Sequence, residues 1–222
     1  MMGSATTRRS FLKRAALGAA AAALWPQVRI LRAETPAAEA ARPGADDVLG
    51  LLGDYVEVMR RGHWRGLEPR TGLMQVAASG YYRMTVHHTA SVLAPARKAS
   101  DVAAQIEGIA AGHMERHYGD IAYHLLVDTD GRVWEGRSLA YEGAHVMSAN
   151  PGNIGVALLG DFSEADPSDA QVQSLDAVTR VLCHINDIAP DRVYGHRDLA
   201  SSSCPGERLY ERLPQLRDSL LA

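Results

Sequence analysis

The sequence predicts an α/β fold, a single domain with a central mixed β-sheet flanked by helices. Three observations predict it. Strand-like runs alternate with helix-like runs along the chain from residue 46 onward, the pattern of a sheet covered by helices. Ile154-Gly155-Val156-Ala157-Leu158-Leu159 is an uninterrupted apolar run, as expected of a central strand covered on both faces. Ala122 to Val127, the turn Asp128-Thr129-Asp130-Gly131, and Val133-Trp134-Glu135 read as a hairpin, which adds an antiparallel pair and makes the sheet mixed.

The elements follow in chain order. Thr7-Arg8-Arg9-Ser10-Phe11-Leu12-Lys13 resembles the twin-arginine export consensus, and the alanine-rich stretch from Ala15 to Leu24 is too short to span a bilayer. With a small-residue cleavage site after Ala33, residues 1–33 are expected to be an export signal that sends the protein to the periplasm or outside the cell. No cysteine ends the apolar stretch, so no stable membrane anchor is expected. Residues 34–45, rich in Ala, Pro and Glu, read as a linker, and the domain occupies 46–222. Asp46 and Asp47 precede Val48, Leu51, Leu52, Tyr55, Val56 and Met59 at helical spacing. Tyr82 to His87 alternates as a strand, and Ser100 is placed to cap a helix through Val102, Ile106, Ala110 and Met114 that ends near Gly119. Pro167 and Ser168 open a helix through Val172, Leu175, Val178, Leu182 and Ile185. Arg192-Val193-Tyr194 is a short strand ending at Gly195-His196, and one final helix runs from about Glu207 to Leu221.

The 222 residues carry a net charge of −3 with no block of either sign, which argues against a nucleic-acid partner. Nothing in the pattern sets an oligomeric state. Cys183 and Cys204 admit a disulfide in an oxidising compartment. Their settings differ, however: Cys183 falls in a helical pattern, and Cys204 stands before Pro205-Gly206 just beyond a histidine.

Among nine histidines, His87 and His196 each close a strand and Cys204 follows His196 by eight residues. Ligands gather outside the C-terminal ends of strands in open α/β sheets, so these three can meet. Two imidazoles and a thiolate suit zinc and leave a fourth position for water. His88, adjacent on the strand, is expected to face away and pack. His113 and His117 are four apart, but Glu115 stands in the wrong place for a zincin motif, and they read as a surface helix. His63, His124 and His184 default to structural roles. His145 lines a substrate groove in one reading and is structural in the other. Arg137 pairs either with a ligand carboxylate or with a surface acid. Trp134 and Tyr141 read as packing, and Asp198 either orients His196 or caps its own turn.

Six ordered blocks add to these readings: Val86-His87-His88-Thr89-Ala90; Asp120-Ile121-Ala122-Tyr123-His124; Asp130-Gly131-Arg132-Val133-Trp134-Glu135-Gly136-Arg137; Gly143-Ala144-His145; Asn153-Ile154-Gly155-Val156; and Gly195-His196-Arg197-Asp198-Leu199 followed by Cys204-Pro205-Gly206. Together they resemble the peptidoglycan recognition protein and type 2 N-acetylmuramoyl-L-alanine amidase family over residues 82–210. The resemblance implies a zinc-dependent amide hydrolase that cleaves the lactyl–L-Ala bond of peptidoglycan or a muramoyl-peptide. It implies that His87, His196 and Cys204 hold Zn2+ and that Tyr123 is catalytic, hydrogen bonding the reacting oxygen. It puts Ser202 where amidases of the family carry threonine or lysine, a hydroxyl donor without charge. Of the two readings left open for each, the substrate side is taken for His145 and Arg137. Non-catalytic relatives typically lack the cysteine, so its retention favours an enzyme over the alternative of a peptidoglycan-fragment-binding module. Ser138-Leu139 departs from the glycine and aromatic residue common in recognition proteins.

Overall fold

The computed structural model describes residues 45–64, 66–91 and 98–221. The expected export signal at 1–33 and linker at 34–45 lie outside these residues, apart from Ala45, which opens the first helix.

Helix α1 spans Ala45–Gly53 and buries Val48, Leu49 and Leu52. It is shorter than the apolar spacing predicts, and its buried face is rotated, with Leu51 and Tyr55 exposed. Gly50 and Gly53 explain the early stop, since glycine is the weakest helix former after proline. The chain turns through backbone bonds from Tyr55 and Val56 to the Leu52 carbonyl, and Val58–Met59 becomes strand β1.

Strands β2 (Arg83–His88), β3 (Leu125–Val127), β4 (Val133–Glu135), β5 (Asn153–Leu158) and β6 (Val193–Gly195) complete a six-stranded sheet of order β1-β4-β3-β5-β2-β6. Only the β3–β4 hairpin is antiparallel, and the other neighbours pair in parallel. The sheet is therefore mixed, as expected, and β5 is buried along its whole length.

Alternation along the strands sorts side chains onto two faces. Met84, Val86, Leu125, Val127, Val133, Ile154, Val156 and Leu158 join a core with α1, α3 (Asp169–Asn186) and α5 (Leu213–Ser219). On the opposite face Leu126 and Trp134 pack with Val102, Ile106 and Ala110 of α2 (Ala99–Glu115). Toward β2 and β5, that second face carries Thr85, His87, Asn153, Gly155 and Ala157 instead of large apolar side chains. Polar groups occupy this half of the sheet.

The helix ends follow local chemistry, with two corrections. Lys98, not Ser100, stands at the N-cap of α2, and the Ser100 hydroxyl turns to Asp101 inside the first turn. The expected last helix is two, α4 (Glu207–Tyr210) and α5, because Pro214 lacks the N–H that a continuous helix needs and is tolerated only in a first turn. Both cysteines are free, with Cys183 buried in α3, so the disulfide reading is excluded. Among the described residues no helix is long and apolar enough to cross a membrane.

Ser168 closes a capping box on α3: its Oγ accepts from the Gln171 N–H at 3.0 Å, and Gln171 Oε1 accepts from the Ser168 N–H at 3.1 Å. The hydroxyl also donates to the Thr129 carbonyl at 2.8 Å, tying the helix to the hairpin turn. Ser168→Ala is expected to lower stability by about 1 kcal/mol in a denaturant titration, a typical N-cap loss, without changing the sheet.

Candidate metal centre

His87 lies near the end of β2, on the polar half of the sheet. The register Val86↔Gly195 sets β6 beside it, and His196 is the first residue past β6, in a 3-10 turn. The two rings lie 4.7 Å apart between centroids. The loop after His196 folds back on itself, since the Arg197 N–H donates to the Cys204 carbonyl at 2.9 Å and Arg197 Nη2 donates to the Ser203 carbonyl at 2.8 Å. Arg197 also lies over the Tyr210 ring at 4.5 Å and pairs with Glu207 at 2.7 Å, anchoring the loop to α4. Cys204 thereby returns to the histidines. One ligand atom from each of His87, His196 and Cys204 lies within 4.8 Å of the others, and among the described residues this is the one such group.

The electrostatics suit a soft cation. Burial, together with His145, His196 and His88, pushes the His87 pKa far below its ordinary value, and burial also lowers His196. Both shifts favour the neutral imidazole, the form that keeps a lone pair for a cation. Burial pushes the Cys204 thiol up to about 11, partly offset by the His88 N–H at 3.4 Å and by Arg197. A bound divalent cation reverses that preference and holds a thiolate. The sulfur lies 3.6 Å from His87 Nδ1, close to the ligand separation of a tetrahedral site with bonds of about 2.0–2.3 Å.

Tyr123 is brought to the same place, its ring 5.1 Å from His87 and 5.5 Å from His113. Burial and the Cys204 sulfur raise its pKa well above the usual phenol range, so its hydroxyl keeps its proton. Ser202 is half-buried and accepts from the Cys204 N–H at 3.1 Å, leaving its own O–H to donate.

Other expectations are corrected. Arg137 is buried and donates to four backbone carbonyls, those of Ile121, Glu142, Tyr118 and Asp120. It ties these loops together and is not a surface residue. His145 is buried, with Nδ1 2.9 Å from His87 Nε2 and Nε2 3.1 Å from the Asn153 carbonyl. His113 is half-buried and not a fully solvated surface residue, with Nδ1 accepting from the Ala122 N–H at 3.1 Å and burial lowering its pKa to about 4. His117 is exposed beyond the end of α2, with φ of 62°. His88 faces the other way, as expected, with Nδ1 accepting from the Phe162 N–H at 3.3 Å. Asp198 caps its own turn through the Gly195 N–H at 2.8 Å. Trp134 is core, its Nε1 donating to Asp128 at 2.8 Å.

The model of the N-acetylmuramoyl-L-alanine amidase family matches residues 82–207, more than half of the chain and the stretch that contains every residue of this site. The chain belongs to this family. It is 31% identical over 147 residues to the N-acetylmuramoyl-L-alanine amidase of Homo sapiens, covering 65% of this chain and 25% of that protein. The chain thus spans about a quarter of the length of the human amidase. It is 36% identical over 110 residues to the peptidoglycan recognition protein of Bombyx mori, covering 49% of this chain and 56% of that protein. Its fold matches the solved complex of tracheal cytotoxin with the ectodomains of peptidoglycan recognition proteins LCa and LCx, at a TM-score of 0.63 and 28% identity, over 72% of this chain and 96% of that one.

Two features of this family member were not read from its sequence. Arg61 makes a bidentate pair with the buried Asp120, with Nη2 to Oδ1 at 2.7 Å and Nη1 to Oδ2 at 2.9 Å, and nothing local marks a partner 59 residues away. The contact of His145 with His87 did leave a trace, because Gly143 and Gly155 form the slot for the imidazole and a Cβ on either would overlap the ring. Arg137→Met is expected to cost about 3 kcal/mol by chemical denaturation, because it strips donors from buried carbonyls worth about 1–3 kcal/mol each. A change within about 0.5 kcal/mol, normal for an unremarkable surface site, would contradict the tie.

Proposed function

We propose that this chain is an exported, zinc-dependent N-acetylmuramoyl-L-alanine amidase, hydrolysing the amide between the lactyl group of a muramoyl sugar and L-alanine in peptidoglycan or its fragments. The observation that carries the reading is the convergence of His87, His196 and Cys204, within 4.8 Å, in a chain of the amidase family. Arg8-Arg9 and the apolar stretch behind them support export by the twin-arginine route.

His87, His196 and Cys204 would hold the zinc, two neutral nitrogens and one sulfur that leave room for a further ligand. When bound, zinc supplies a Lewis acid for the amide carbonyl and brings the pKa of water down to about 7. The residues of the chain do the rest. Tyr123, kept protonated by burial, donates from its hydroxyl to the oxygen that gains charge as the carbonyl becomes tetrahedral. The Ser202 hydroxyl, oriented by the Cys204 N–H, is a second donor to that oxygen, without the charge a lysine would bring.

The test is mass spectrometry of the products from a muramoyl-peptide, with zinc content measured on the same protein. Wild type is expected to hold one zinc per chain and to release lactyl sugar and a peptide with a new L-alanine amino terminus, and Cys204→Ala to lose both metal and activity. A new amino terminus inside the stem would make it an endopeptidase. Binding of the fragment by the zinc-loaded protein without cleavage would make it a recognition module.

Tyr123→Phe is expected to retain zinc while kcat falls about 10²–10³-fold, the usual loss of one oxyanion donor. A fall of less than about tenfold would remove Tyr123 from that role.

A further inference from the structure

His145 and His87 are joined end to end, and the chain of hydrogen bonds has a definite direction. His145 Nε2 lies 3.1 Å from the Asn153 carbonyl, which can only accept, so Nε2 carries a proton. The ring faces His87, His124, Tyr123 and backbone, and among the described residues no carboxylate hydrogen bonds to it. In the neutral ring Nδ1 is then a lone pair, and His87 Nε2, 2.9 Å away, must be the donor. With its proton on Nε2, His87 has its lone pair on Nδ1, the atom 3.6 Å from the Cys204 sulfur.

We infer that His145 is a positioning residue: the Asn153 carbonyl sets the tautomer of His145, and His145 in turn sets that of His87, so that His87 directs a lone pair and not an N–H toward Cys204. This rests on the zinc reading for its consequence, since only the deprotonated nitrogen can be a ligand.

The surroundings hold His145 to this task. Its backbone N–H donates to Asn150 Oδ1 at 2.9 Å, and Gly143 and Gly155 close on its ring. Asn153 is itself fixed by the Thr85 hydroxyl, which donates to its Oδ1 at 2.9 Å, and by its own Nδ2, which donates to the Ala149 carbonyl at 2.8 Å. The carbonyl at the head of the relay therefore belongs to β5 and cannot drift from β2. A partner of this kind fixes ring orientation and typically changes metal affinity by about 10–100-fold.

The experiment combines long-range proton–nitrogen NMR of the metal-free protein with zinc affinity from competition against a chromogenic chelator, for wild type, His145→Asn and His145→Phe. In wild type His87 is expected as the Nε2–H tautomer. Asparagine places an oxygen acceptor where Nδ1 stands and is expected to keep that tautomer, with zinc affinity within about threefold of wild type, whereas phenylalanine has no acceptor and is expected to mix tautomers and lose about 10–100-fold. A residue that merely filled space would give the opposite order. An Nδ1–H tautomer at His87 in wild type, or equal zinc affinity in wild type and His145→Phe, would overturn the inference. If wild type takes up no zinc, the zinc reading fails, and the tautomer spectrum alone decides the role of His145.

Discussion

Parallel pairing of β2 between β5 and β6 is the constraint from which the site follows. The register Val86↔Gly195 sets the end of β6 against β2, and with side chains alternating at period 2 it brings His196 to the side of His87. A slip of one residue in β2 would turn His87 into the apolar core and bring His88 to the site. The core resists that slip, because Met84 and Val86 are fully buried against α3 and its neighbours and alternate with Thr85 and His87. Hydrophobic burial on one face thus fixes the chemistry on the other.

The polar half of the sheet is a second consequence of the same alternation. Thr85, His87, Asn153, Gly155 and Ala157 present small or hydrogen-bonding groups where large apolar side chains would fill the space. His124 accepts from the Gly155 N–H at 2.9 Å, and His145 fits over the same glycine. The loops above are held by Arg137, whose planar fork satisfies carbonyls from two chain segments at once. Burial of these imidazoles favours their neutral form, which leaves them available as donors of electron pairs.

What was legible in the sequence was what local physics dictates. The β3–β4 hairpin followed from its turn residues, β5 from its unbroken apolar run, and the start of α3 from Pro167-Ser168. The end of α1 was misread because two glycines outweighed a helical spacing, and the last helix because Pro214 outweighed another. His87, His196 and Cys204 were marked by their positions at strand ends and by the family resemblance, yet their approach depends on pairing across more than 100 residues. The partners of Arg137 and His145 were not legible, because a sequence lists polar residues without saying which carbonyls or rings will need them. Desolvation decided both: a buried guanidinium must find acceptors, and a buried imidazole must share its protons.

The central claim is that two imidazoles and one thiolate of this chain form one zinc centre that leaves a position open for reaction. X-ray absorption at the zinc edge of the metal-loaded protein measures that donor set directly. Two nitrogen ligands at about 2.0–2.1 Å, one sulfur at about 2.3 Å and one oxygen are expected in wild type. A shell of nitrogen and oxygen alone would contradict the claim.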